Sequence, residues 1–331
     1  MYSGNTVDKR SIKKTLSFII SIVICFFIAR YAQTSLAQIH KQDLSINWVM
    51  IIISFFWGIL GFFLYSLGWF FLLRMHDHTV RFGEVNYLLT KGNLGKYIPG
   101  RIWQFLGRLY LFNGMGISKG KIMMMAVVEQ YYLILSALMI FCITFFLSGD
   151  AFPSAFVSQF NIPVIICIIF GVIGLHPKVF ALLSEFLQKI TKKDYLQMTM
   201  TWMHSIFLFM LYSFYWMSAG LSVLFLIKGG IMIPPQYLLF IIGSNAISYV
   251  IGYLALITPN GLGIREGILT YLLELFMIKG MGAAVSLLSR FLLIIQEVGY
   301  FFFSLLIFSI TRRQERADTH ISDRKFRSFI G

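Results

Sequence analysis

Apolar positions in this chain fall in long, nearly unbroken runs. They show neither the two-residue alternation of a half-buried strand nor the 3.6-residue stripe of a soluble amphipathic helix. The runs Trp48 to Leu73, Ile122 to Leu147, Met203 to Ile227, Tyr237 to Thr258 and Phe291 to Ile310 are each suited to cross the roughly 30 Å hydrocarbon layer, which takes about 20 helical residues. Shorter runs at Thr15 to Ala29 and Ile162 to Leu175 add two further spans. No alternation extends over these windows, so the pattern predicts an all-α, polytopic helical bundle and argues against an outer-membrane barrel.

Two regions break the pattern. Phe82 to Gly120 is too polar for an ordinary span and too aromatic and aliphatic for an ordinary loop; it contains NLGKYIPGRIWQFLGR, Asn93 to Arg108. Pro99 interrupts helical hydrogen bonding and Gly95 and Gly100 loosen the backbone beside it, so two short helices meeting at a break are expected. The second region is ITPNGLGIREG, Ile257 to Gly267, with Pro259, Gly261 and Gly263 directly after an apolar run. Broken backbone at membrane depth must be satisfied by protein or trapped water, so such a break marks a binding site or a packing corner.

The two regions correspond. Pro99 is followed by an Arg-bearing helix and a long span carrying Glu129; Pro259 is followed by Arg265-Glu266, an apolar helix and a long span carrying Arg290. The offset between the two prolines is 259 − 99 = 160 residues, a weak internal repeat. Paired broken segments in corresponding halves of a membrane chain point to a substrate site.

Composition agrees with the pattern. Of 331 residues, 58% are hydrophobic and 13% charged, more apolar surface than one soluble core hides. The formal charge of +14 would suggest nucleic acid in a soluble protein. Here the basic residues gather in loops and in the tail from Thr311, where they set membrane orientation, and no nucleic-acid partner is expected. Residues 1–14 read as a cytoplasmic segment, 15–310 as the transmembrane domain and 311–331 as a basic cytoplasmic tail. The first run resembles a secretory signal with Ser35-Leu36-Ala37 as a cleavage site, but a chain with this many later spans is better read as keeping it as an anchor.

Two cytoplasmic termini require an even number of crossings. Seven plain spans leave one to find, and Ile264 to Ile278, with Glu274 deep in it, is the candidate for an eighth segment. A re-entrant segment entering from either side satisfies the same parity.

Charges inside spans cost about 2.5–3.5 kcal/mol on insertion scales and call for a partner, a wet cavity or a ligand. Arg101 and Arg108 are seven apart, on nearly one helix face with Gln104 between them, which suits a phosphate and equally suits interfacial anchoring. Arg265 and Glu266 open a helix whose unpaired N–H groups favour an anion; the alternative is a tight turn with a charged helix start. Glu129 and Arg290, of opposite sign at corresponding positions, can pair with each other, and Glu297, seven residues after Arg290, is an alternative partner; a proton site is a further role for this set. Cys25, Cys142 and Cys167 lie in apolar runs and read as packing residues. His76 and His78 read as a solvated cluster and His204 as interfacial, so neither a metal nor a cofactor is expected. The aromatic residues read as lipid-facing and interfacial surface. No P-loop or HExxH motif occurs.

GNLGKYIPGRIWQFLGR and ITPNGLGIREG together resemble the lysylphosphatidylglycerol synthase transmembrane-domain family of flippase-like membrane proteins, over roughly Ser11 to Ile310. In two-domain members, the membrane domain is implicated in moving aminoacylated phosphatidylglycerol between leaflets, while a cytosolic domain performs the synthesis. That cytosolic domain has no counterpart in the sequence to Gly331, so the resemblance implies the flippase-like half. The expected function is movement of an anionic or aminoacylated phospholipid, or of a polyprenyl-phosphate-linked envelope lipid, across a bacterial inner membrane. Arg101, Gln104, Arg108, Arg265 and Glu266 would hold the headgroup. An intramembrane transferase with Glu266 as general base and a scaffold for envelope-synthesis proteins are the alternatives.

Overall fold

The computed structural model describes residues 46–75, 79–97, 102–148, 151, 154–191, 200–255, 258 and 261–330, with positions 26, 30 and 33. The first expected span, Thr15 to Ala29, and the segment before it lie outside the described residues. So do Cys25, Ser35 to Ala37, His76, His78, Pro99, Gly100, Arg101 and Pro259.

Every regular element among the described residues is helical: α1 (Trp48–Arg74), α2 (Phe82–Asn93), a 3-10 turn (Leu94–Tyr97), α3 (Ile102–Asn113), α4 (Lys119–Leu147), α5 (Ser154–Gly174), α6 (Pro177–Thr191), α7 (Trp202–Lys228), α8 (Tyr237–Leu254), α9 (Ile264–Leu273) and α10 (Met281–Ile330). Six of these are long and apolar enough to cross a membrane: α1, α4, α5, α7, α8 and α10, the last over Met281–Arg312. Their outward faces carry large apolar side chains such as Phe56, Phe170, Phe214 and Phe302, as a lipid-facing surface requires.

The centre is an antiparallel pair, α1 against α7. Ser54, Gly58, Gly61 and Gly68 share one face of α1, and small residues let the backbones approach. Ser54 Oγ donates to the Ser222 carbonyl at 2.5 Å, Ser222 Oγ returns to the Ser54 carbonyl at 2.9 Å, and Ser218 Oγ donates to the Trp57 carbonyl at 2.6 Å. These bonds keep hydroxyls satisfied where no water competes. The pair gives the bundle two ends, one at Arg74 and one at Lys228.

Two helical hairpins enter from opposite ends. The first, α2–turn–α3, starts at the Arg74 end, where Phe82 packs on Phe63 and Phe70, and returns there, with Phe112 against Trp69. The second, α8–α9, starts at the Lys228 end and returns there: Leu269 and Leu273 cluster with Leu224, Ile227 and Ile241. In both, a glycine allows the two arms to touch. A Cβ at Gly92 would lie 3.0 Å from Arg108 Cγ, and one at Gly252 would lie 2.8 Å from Arg265 Cβ. Gly92 and Gly252 are also 252 − 92 = 160 residues apart.

This corrects the expectation of a crossing over Ile264 to Ile278. The helix ends at Leu273 after 10 residues, about 15 Å at 1.5 Å per residue, and half a membrane deep at most. Glu274 is not deep within a span. It caps α9, and its carboxylate accepts the Gly280 N–H at 2.8 Å as the chain turns into α10.

Candidate functional site

Both hairpins carry an arginine where the arms meet. In the first, the tip is the 3-10 turn and α3 brings Arg108 back beneath it. Arg108 is 1% exposed. Its Nε and Nη2 donate to Asn93 Oδ1 at 2.8 and 2.6 Å, Nη1 pairs with Glu129 of α4, Nη2 also donates to Tyr65 of α1, and the guanidinium stacks over Trp69 at 5.0 Å. A guanidinium offers five donors in a plane, and this one is engaged on every edge. The group therefore ties α3 to α1, α2 and α4, and the cationic face expected from Arg108 is turned into an ion pair.

In the second hairpin, the chain leaves α8 and re-enters helix through Gly261 at φ 66° and Gly263 at φ 84°. Both are left-handed conformations that glycine adopts without a Cβ clash. Glu266, at the third helical position, reaches back to accept the Gly263 N–H at 2.6 Å, the acidic half of a capping box. It also meets Arg290 of α10 at 3.4 Å. Arg265 has different surroundings. It is 7% exposed, its Nη2 donates to Asn245 Oδ1 at 3.4 Å, and its guanidinium lies 5.6 Å from the Tyr249 ring. Among the described residues no carboxylate lies within ion-pairing distance of it.

The ion pairs correct the expected one between Glu129 and Arg290. Each forms its pair within its own half of the chain: Arg108 on α3 with Glu129 on α4, Glu266 on α9 with Arg290 on α10. Glu297 pairs with Lys96 of the 3-10 turn at 2.6 Å, which joins the first hairpin's tip to α10.

A cavity of about 70 Å³ lies between the two hairpins. Lys96, Arg265, Arg290 and Glu297 supply its charges; Asn93, Gln104 and Gln130 supply amides; Tyr65, Tyr215, Tyr249 and Tyr253 supply rings and hydroxyls. Tyr215 sits near the middle of α7, so the cavity is at mid-depth of the bundle. A smaller cavity of about 30 Å³ adjoins it with Arg265 in both walls, bordered by Ser222, Asn245, Ser289 and Gln296. With Glu266 behind Arg290, the charges supplied by the described residues are Lys96, Arg265 and Arg290 and the carboxylates of Glu266 and Glu297. Of the three cations, Arg265 is the one with no carboxylate among the described residues within ion-pairing distance.

Sequence reasoning found Gln104, Arg265, Arg290 and Glu297. It missed Lys96, Asn93, Gln130, Asn245 and the four tyrosines. The aromatic residues are not all lipid-facing: Tyr132, Tyr212 and Tyr300 are buried, as are Trp69 and Trp216. The signal available for Asn245 was its place as the one amide in the apolar run of α8. No cluster of metal-ligating side chains occurs among the described residues.

No curated protein matches the chain. The family model described as the lysylphosphatidylglycerol synthase TM region matches residues 15–306, which takes in both hairpins and the cavity between them. The chain belongs to the lysylphosphatidylglycerol synthase transmembrane-region family.

Proposed function

We propose that this membrane protein moves a phosphate-bearing lipid between leaflets of a bacterial inner membrane, with the phosphate seated on Arg265. The observation that carries the reading is an arginine buried in an apolar bundle, without a carboxylate partner among the described residues, in the wall of a polar cavity. A buried cation of this kind is costly unless an anion visits it. Guanidinium is the side chain best matched to phosphate oxygens. Hairpins that enter from opposite ends and meet at mid-depth suit a site reached alternately from two faces.

Orientation follows from charge. Arg74, Arg81, Lys119, Lys121 and Arg312 gather at the Arg74 end, against Lys228 and Lys279 at the other. The Arg74 end and the basic tail beyond α10 then face the cytoplasm.

The test is a reconstituted-vesicle assay with headgroup-labelled phosphatidylglycerol, lysyl-phosphatidylglycerol and a short polyprenyl phosphate. Wild-type protein moves at least one of these lipids between leaflets, and Arg265→Ala returns the rate to the protein-free background. A folded wild type that moves none of them overturns the reading.

A further inference from the structure

Helix α6 supplies no residue to either cavity, and its surface calls for a partner of its own. It sits at the Arg74 end of the bundle. The Gly174 carbonyl, at the end of α5, accepts the Tyr131 hydroxyl of α4 at 2.5 Å, and the His176 ring lies 4.7 Å from Trp202, where α7 begins. Phe207 of α7 in turn meets Phe71 of α1 at 4.7 Å. The 15 residues of α6 make a helix of about 22 Å, too short for the hydrocarbon layer, and the chain must be back at the same end for α7. We infer that α6 lies along the membrane surface as an interfacial anchor. Its apolar sector enters the acyl region of the leaflet at the Arg74 end, and its lysines stand at the level of anionic headgroups. The inference is independent of the proposed lipid movement.

The helix has three sectors. Phe180 and Ser184, one turn apart, are buried, and Phe180 packs on Tyr131, so this sector faces the bundle. Val179 and Leu182 share a second sector with the apolar positions 183, 186 and 190, which follow at helical spacing. Leu182 is 64% exposed, so the bundle does not cover this sector. Lys178, Glu185 and Lys189 are exposed on the third. At 3.6 residues per turn the three directions are roughly 120° apart. A helix that packs sideways on a bundle while resting on a bilayer needs this division: one sector to the protein, one down into acyl chains and one up to water. A helix standing free in water would expose Leu182 and Val179 with nothing to cover them.

Continuity and charge identify the bilayer as the occupant. The lipid-facing surface of α5 runs through Ile169, Phe170, Val172 and Ile173, all exposed, and ends only four residues before α6 resumes it at Val179. Trp202, beside His176, is 52% exposed, and a half-exposed tryptophan at the end of a span marks the headgroup level. On the helix wheel Lys178 and Lys189 border the sector of Leu182, closer to it than Glu185 does. Lysines at that border lay their methylene stems along the apolar surface and lift their ammonium groups to the phosphates, where anionic lipids attract them.

The experiment places a nitroxide spin label on the full chain in nanodiscs of phosphatidylethanolamine and phosphatidylglycerol. The labels go on Leu182→Cys, Glu185→Cys and, as a lipid-facing reference, Phe170→Cys, each in a background without reactive native cysteines. All three positions are exposed, so the substitutions leave the packed sectors intact. Collision with oxygen, which concentrates in acyl chains, is compared with collision with a water-soluble nickel chelate. The expected oxygen-to-nickel ratio at position 182 is close to that at position 170 and several times that at position 185. A label at 182 as open to nickel as the one at 185 overturns the inference, because the helix then stands in water. A label at 182 shielded from both reagents overturns it too, because a second copy or another protein then covers the sector. The headgroup contact is read separately. Replacing phosphatidylglycerol by phosphatidylcholine should make the label at 182 shallower, and Lys178→Gln with Lys189→Gln should remove the difference between the two lipid mixtures. An unchanged depth in the folded protein would overturn the lysine contact with anionic headgroups.

Discussion

Arg108 and Glu129 are 1% and 0% exposed, and removing either leaves the other as an uncompensated charge inside the bundle. Arg108→Ala or Glu129→Ala should therefore lower stability by about 3–5 kcal/mol, whereas the apolar double replacement Arg108→Met with Glu129→Leu should recover most of the loss. Thermal unfolding in detergent reads both, and single variants as stable as wild type would remove the pair from its structural role. Arg265→Ala should behave in the opposite sense, with stability unchanged or raised and anion binding lost, because no carboxylate among the described residues is orphaned by it. At this scale the sequence announced which charges needed explaining and misassigned their partners. Glu129 and Arg290 stood out as charges in apolar runs, but partner choice depends on how each short helix is rotated after its break, and no spacing rule carries across Pro99 or Pro259. Lys96 was overlooked for a related reason, since a lysine among glycines before a proline has the composition of an interfacial loop.

The hairpins depend on glycine in a way that separates two kinds of substitution. A side chain at Gly252 meets the Arg265 Cβ at 2.8 Å, while nothing lies within 4 Å of a Cβ at Gly267, two residues further along α9 from Arg265. Gly252→Val should force the arms apart, with a loss of about 1–3 kcal/mol and of anion binding. Gly267→Ala should raise stability by about 0.5–1 kcal/mol by favouring helix, with binding retained. Equal effects of the two in a melting and binding comparison would show that arm contact does not shape the site. The breaks themselves were legible, because proline with glycine at membrane depth has few other meanings. The length of α9 was not: the apolar residues run on to Ile278, and the helix stops at Leu273 because Glu274 turns back to the Gly280 N–H.

For the molecule as a whole, the all-helical, multi-pass class was readable from the long runs, since apolarity at that length has one common cause. The topology was not, because α8 and α9 together have the hydropathy of two crossings and the geometry of a return. This arrangement has a direct consequence for sidedness. Lys119, exposed just after the first hairpin, and Lys279, exposed just after the second, belong to opposite ends of the bundle. In a background without reactive native cysteines, Lys119→Cys should react with a membrane-impermeant thiol reagent only from the cytoplasmic side and Lys279→Cys only from the outer side. Labelling of both from one face would contradict the opposed hairpins.

The most direct test of the cavity as the lipid phosphate site is photo-crosslinking in native membranes. A benzophenone amino acid is placed at Tyr253 in the cavity wall, with Phe170 on the lipid-facing surface as control, and the adducts are identified by mass spectrometry. The account predicts a phosphate-bearing lipid adduct at position 253 that Arg265→Ala abolishes, with adducts at position 170 unaffected by that substitution. Lipid adducts at position 170 alone, or adducts at 253 indifferent to Arg265, would contradict it.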